Sequence, residues 1–325
     1  MNSVVLQRLR EGVETSSPLD PRSRWLYLIM AAEFVIGLPI FILMGFSLHL
    51  DPKPAIGGAA LIVSCWLLRR VGHARLAGGV EIVLLTIFYA LPTLFLIFPL
   101  LAISGPLADA RLASVDRALG FDWFAFIGLF RGRPVLTGLM VWAYTSFFWQ
   151  TLIVLPLLWL IRAEDRAWAF VTAAVLATAI TLALYPFAPA DDAFVHYGVT
   201  RGAFPLSVDV PWTTSPVVRS IKDGARSISY ASLKGIITFP SFHTAAAIML
   251  MWAAWPVRII RYPVMVLNAL MIVSCIVVGA HYLIDLIVGA GIGCVAVAVA
   301  SRMVAPTSAP SGTAQLLRRS DVGSV

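Results

Sequence analysis

Charge is scarce in this chain: Lys, Arg, Asp and Glu make up only 13% of its 325 residues, against about a quarter in an ordinary soluble domain. Cysteine is scarcer still, and all three, Cys65, Cys275 and Cys294, fall inside apolar runs. That placement argues against a disulfide framework and against a paired-thiolate metal site. No internal repeat is visible, which removes the symmetry expected of an inverted-repeat transporter. A small-residue cleavage site after the first apolar run is also missing, so that run is expected to stay as a membrane span.

Hydrophobic side chains are plentiful, at 59%. At about 17–25 apolar residues per crossing, eight candidate spans emerge, at 25–48, 55–68, 79–104, 134–161, 168–187, 236–257, 262–280 and 282–300. The predicted fold is all-α, a polytopic integral membrane helical bundle. The net charge of +7 does not call for nucleic acid, because the arginines cluster between spans. Arg8, Arg10, Arg22 and Arg24 precede the first span, and Arg69, Arg70 and Arg75 follow the second. Arg162 and Arg166 follow the fourth, Arg258 and Arg261 the sixth, and Arg302, Arg318 and Arg319 the eighth. The positive-inside rule then places both termini in the cytoplasm, an arrangement suited to a bacterial inner membrane.

Residues 1–24 are expected to form a cytoplasmic segment, 25–104 the N-terminal spans, 105–302 the domain with the chemistry, and 303–325 a disordered cytoplasmic tail. Two segments fall on the outer side. The first, 105–133, contains VDRALGFDWFAFIGLF and reads as a helix lying in the interface. The second, 188–235, is rich in Pro, Gly, Ser and charge and reads as an irregular lid.

Ionisable groups at membrane depth are costly and point to function. GIITFPSFHTA places His243 just after Pro240 and Ser241, good helix-start residues, so His243 is expected in the first turn of the sixth span. A helix N-terminus favours an anion. The stretch GAHYLIDLIVGAG places His281 and Asp285 four residues apart, on one face if the helix is continuous. The 38 residues from His243 to His281 match the roughly 40 needed to cross, turn and return, so both should surface at the same membrane face. A carboxylate beside His281 can hold one ring nitrogen protonated and leave the other free to attack. Glu33 and Glu81 have no partner in sequence, and Thr145, Ser146 and Gln150 read as interhelical hydrogen-bonding groups. Asp191, Asp192 and His196 read as solvated lid residues rather than metal ligands.

PSFH and SCIVVGAHYLID resemble the last two signatures, PSxH and SRxxxxxHxxxD, of the type 2 phosphatidic acid phosphatase (PAP2) superfamily. DRALGFDW, YPFAP, GIITFPSFH and GAHYLIDLIVG extend the resemblance to its inositol phosphorylceramide synthase, or inositolphosphotransferase, branch. The resemblance implies a six-helix core and a phosphatase or head-group transferase that acts on a lipid phosphate or phospholipid at the outer face of the bilayer. It assigns the nucleophile to His281, its orientation to Asp285, acid and base duty to His243 and phosphate binding to Ser241, with no metal or cofactor. The signature's arginine is replaced by Cys275, and KxxxxxxRP is absent as written. Lys222, Arg226 and Lys234 in the lid are the candidates to supply its charge. Two other classes remain open: a proton-coupled lipid transporter or flippase with His281 and Asp285 as relay, and an inactive scaffold.

Overall fold

The computed structural model describes residues 20–49, 52–200, 210–229 and 235–304. The expected N-terminal segment up to residue 19, the tail from residue 305 and Lys234 lie outside the described residues. Thirteen α-helices and two three-residue strands are described, and the fold is all-α. In order they are α1 (Arg24–Leu43), β1 (Ser47–His49), α2 (Pro52–Arg70), α3 (Ala74–Phe88), α4 (Leu94–Ile103), α5 (Asp109–Ala118), α6 (Trp123–Gly128) and α7 (Pro134–Leu160). Then come α8 (Glu164–Leu184), α9 (Ala193–His196), α10 (Val210–Lys222), β2 (Ser227–Ser229), α11 (Phe242–Ala254), α12 (Arg261–Val277) and α13 (Leu283–Met303).

Among the described residues four helices, α1, α7, α8 and α13, are long and apolar enough to cross a membrane, while α4, α11 and α12 are apolar but shorter. The expected span at 79–104 is two helices, because Pro92 lacks an N–H and the chain turns through Tyr89–Thr93 between α3 and α4. The first span is shorter than expected. It ends at Leu43, Gly45 takes a left-handed φ of +76°, and β1 then pairs in parallel with β2, Leu48 opposite Ile228. The expected interfacial helix is also two pieces, α5 and α6, with Gly120 at φ +79° between them. The segment 188–235 is less irregular than expected: α10 buries Val218 and Ile221 and packs on α4.

Helix α11 sits at the centre, packed by α7, α8, α12 and α13. Its alanines permit this, since Ala245, Ala246, Ala247, Ala253 and Ala254 are all fully buried. The closest approach is to α13, through Gly289 and Gly293. A Cβ on Gly289 would overlap the Ser241 carbonyl, and one on Gly293 would lie 2.7 Å from the Ala245 carbonyl oxygen. Without a hydrophobic drive between helices in lipid, small residues four apart are what let two backbones touch. At the other end of α11, Arg166 Nε donates to the Trp252 and Ala253 carbonyls at 3.2 and 3.1 Å, and its guanidinium lies 4.0 Å over the Trp252 ring.

Polar side chains join the other helices. Asn268 on α12 donates to Gln150 Oε1 at 2.8 Å, and Gln150 donates to Ser146 Oγ at 2.7 Å, both on α7. Thr145 turns back to its own helix at Val141. Glu81 accepts from Tyr27 at 2.6 Å and pairs with Arg69, whereas both Glu33 oxygens are buried without a hydrogen bond.

Gly289→Leu should separate α11 from α13 and destabilise the chain by about 3 kcal/mol or more, since backbone cannot yield as a side chain does. Gly291, with open space at its Cβ position, is the control. Thermal unfolding in detergent checks this: Gly289→Leu lowers the midpoint and Gly291→Leu does not.

Candidate active site

The site is built where α11 and α13 begin. Ser241 caps α11, with its hydroxyl accepting from the Thr244 amide at 3.4 Å, so His243 falls in the first turn as expected. His281 is not on a continuous helix with Asp285. It precedes α13 in an irregular link, with Ala280 at φ +56°, and the helix starts at Leu283. Asp285 is then in the first turn and accepts the Tyr282 amide at 2.9 Å. The same oxygen, Oδ2, lies 3.2 Å from His281 Nδ1. A helix cap, rather than a helix face, brings the pair together.

Nδ1–H donating to Asp285 leaves Nε2 with its lone pair, and Ser241 Oγ lies 3.3 Å from that nitrogen. Ser241 is in turn the acceptor for Thr244 Oγ1 at 3.2 Å, so the Ser241 hydroxyl proton is free to face Nε2. A backbone bond from Ser241 N to Asp285 O, 3.1 Å, locks the two helix starts together. Ser241 and Asp285 are fully buried and His281 is 4% exposed. His243, two residues past Ser241, stacks on Tyr144 at 4.2 Å between ring centroids, with Phe147 edge-on at 5.5 Å. These contacts fix the plane of its ring.

DRALGFDW surrounds the His281 link. Asp116 on α5 accepts the Leu283 and Ile284 amides at 2.8 and 2.9 Å, which satisfies the free end of α13. Trp123 Nε1 donates to the His281 carbonyl at 3.1 Å and stacks on Tyr197 at 4.8 Å. Tyr282 donates to Asp109 Oδ1 at 2.9 Å, and Asp109 Oδ2 accepts the Asp191 amide at 3.0 Å. The Ala193 amide donates to the Ala280 carbonyl at 2.9 Å. Asp109, Asp116 and Trp123 were not singled out as site residues, although Asp116 and Trp123 open and close a quoted motif. Their partners at residues 281–284 are more than 150 residues away in the chain, so spacing carries no signal of these roles.

Of the three expected phosphate-binding cations, Lys222 is engaged elsewhere. Its ammonium donates to the Leu101, Ser104 and Gly105 carbonyls and to Ser104 Oγ, and so finishes the C-terminal end of α4. Arg226 bonds to the Ile221 and Ala225 carbonyls and lies 4.9 Å over Phe46. Another α10 cation, Arg219, donates to Asp191 Oδ2 at 2.6 Å, and Asp191 O accepts from Thr238. Asp191 and Asp192 are buried rather than solvated, and His196 packs edge-on against Tyr197 and Tyr282. Cys275 is fully buried, its thiol donating to the Met271 carbonyl at 3.2 Å, with Thr244 Oγ1 3.7 Å from its sulfur. Its own carbonyl accepts the His281 amide at 3.2 Å.

Fold and site together define an all-α membrane protein whose buried imidazole–carboxylate pair lies beside a helix N-terminus. A family model described as the PAP2 superfamily matches residues 110–299, more than half of the chain. The chain belongs to that superfamily, and membership supports a phosphatase-type function in a membrane setting. No curated protein and no solved structure matches it.

Outside the spans, burial raises the carboxyls of Asp109 and Asp116 above their ordinary range. Asp192 goes furthest, pushed up to about 7 by burial and then by Asp191 and Asp109, against the pull of the Val195 amide it caps. The folded chain therefore holds this proton more tightly than the unfolded chain. Its ionisation costs nothing below pH about 4, and the cost grows until the pH passes the folded value. Asp192→Asn keeps the cap and removes the charge. Unfolding midpoints measured from pH 4 to 8 should fall less steeply with pH in the variant than in the native chain, and equal slopes would exclude Asp192 as the source.

Proposed function

We propose that this protein is a lipid phosphate phosphatase or phosphotransferase that works through a phosphohistidine on His281. The observation that carries the reading is the line from Ser241 through His281 to Asp285, with a buried carboxylate on one ring nitrogen and a hydroxyl at the other. Nε2 attacks phosphorus, and Asp285 stabilises the imidazolium as charge develops. His243 gives a proton to the departing alcohol and then takes one from the acceptor. Ser241 turns its hydroxyl from Nε2 to a phosphoryl oxygen. The first amides of α11, which have no partner within the helix, supply positive potential. Lys222, Arg226 and Lys234 are the lid cations for this purpose, and both Lys222 and Arg226 would have to exchange backbone carbonyls for phosphate oxygens.

Water as acceptor makes the enzyme a phosphatase, and an alcohol makes it a transferase of the inositolphosphotransferase kind. Support for that branch comes from DRALGFDW, whose Asp116 and Trp123 hold the His281 link. The basic residues between spans support cytoplasmic termini and a site facing outward. Depth supports a recessed site: the 13 residues of α11 rise only ~20 Å, less than the ~30 Å hydrocarbon thickness.

Purified protein given phosphatidate, polyprenyl diphosphate, or phosphatidylinositol with ceramide should release or transfer the head group in at least one case. His281→Ala should abolish turnover, and Asp285→Asn should lower kcat by about three to four orders of magnitude, as for a triad carboxylate. Acid-labile phosphate should be trapped on the native chain from a labelled lipid and be lost with His281→Ala. Turnover that survives in His281→Ala would sink the nucleophile assignment.

A further inference from the structure

Next to His243 lies a cavity of about 190 Å³ that the phosphoryl chemistry does not use. Phe147 and Phe242 line it, and these two rings pack on each other at 6.2 Å. Phe147 also meets His243 edge-on, so one aromatic wall divides the cavity from the histidine. The lining is apolar almost throughout. Its two threonines, Thr86 and Thr151, spend their hydroxyls on their own helices, at Ile82 and Phe147, which leaves the Tyr89 phenol as the one other side-chain hydroxyl of the lining. An apolar cavity of ~150 Å³ stays dry and takes up benzene, so this one suits hydrocarbon rather than water. Ile87 and Phe148, 40% and 58% exposed, belong to the lining, so the cavity opens sideways on the lipid-facing surface.

The helix break explains why the space exists. Tyr89 and Ala90, at the start of the turn between α3 and α4, line it. That wall precedes residue 110, outside the part of the chain that matches the superfamily. The N-terminal helices thus supply one wall of the cavity, and the rest of its lining, Phe147 and Phe242 included, lies within the matched core.

We infer that this cavity holds a stretch of one hydrocarbon chain of the lipid substrate, entering from the bilayer between Ile87 and Phe148, while the phosphate reaches His243 and His281 past the Phe147–Phe242 wall. The inference rests on the phosphoryl-transfer reading for the identity of the head group, but the occupancy of the cavity is testable without turnover. Phosphatidate carrying a diazirine in mid-chain, irradiated with the native protein in vesicles, should label peptides containing Tyr89–Ala90 and Phe147–Thr151. A ten-fold excess of unlabelled phosphatidate should suppress that label.

Filling the space with Ala90→Phe, or separately with Ala174→Phe, should lower kcat/KM for a long-chain phosphatidate about ten-fold or more, as expected for groups excluded from an apolar pocket. Glycerol 3-phosphate, which has no hydrocarbon chain to place there, should be turned over as by the native chain. Label confined to outward residues such as Ile153 and Val266, label that phosphatidate does not displace, or an equal loss on both substrates overturns the inference. Phosphatidate-sensitive labelling in a protein that neither turns over lipid nor traps phosphate would instead count against the phosphohistidine and leave the tail site standing.

Discussion

The contact between α11 and α13 at Ser241 and Gly289 is the constraint on which the site depends. The Ser241 amide reaches the Asp285 carbonyl only because no Cβ stands between the two backbones at Gly289. In lipid, nothing apolar pulls these helices together that lipid tails would not satisfy equally well, so close packing and a backbone hydrogen bond supply the attraction. Ser241, His281 and Asp285 then meet as a consequence of where two helices start.

Helices α5 and α6 and the segment around Asp191 are tied to that junction. Asp116 takes the first amides of α13, Trp123 takes the His281 carbonyl, and Asp109 links Tyr282 to the Asp191 amide. Each bond satisfies a buried polar group that would otherwise be costly in an apolar surrounding. The result is a backbone link held on both sides of His281, while Asp285 and Ser241 hold its ring nitrogens. The carboxylates that do this also crowd one another, and Asp192 carries the clearest cost, holding its proton to about 7.

Individual cations show how a residue type under-determines its role. A lysine in a lid suits a phosphate, yet Lys222 ends α4 by taking its last carbonyls, a task an ammonium performs equally well. Arg219 was not marked out by any motif, yet it holds Asp191. Long flexible side chains reach across several ångströms in any direction, so their partners follow from the packing of backbone elements and not from neighbours in sequence.

Apolar runs, basic junctions and the two histidine motifs were readable directly. Hydropathy follows composition along a single segment, and a capping serine acts on amides only three residues away, so α11 and its His243 could be placed from the chain alone. The pairing of His281 with Asp285 was readable as proximity but not as geometry, because a helix and a helix cap both bring residues four apart together. Pro92 and Gly120 mark the breaks at α3–α4 and α5–α6 locally, and tertiary structure alone decided that the first turn lines a cavity and that Asp116 and Trp123 grip the His281 link. Those features join segments up to 168 residues apart, and such partners are selected by three-dimensional packing, which leaves no periodicity in the sequence.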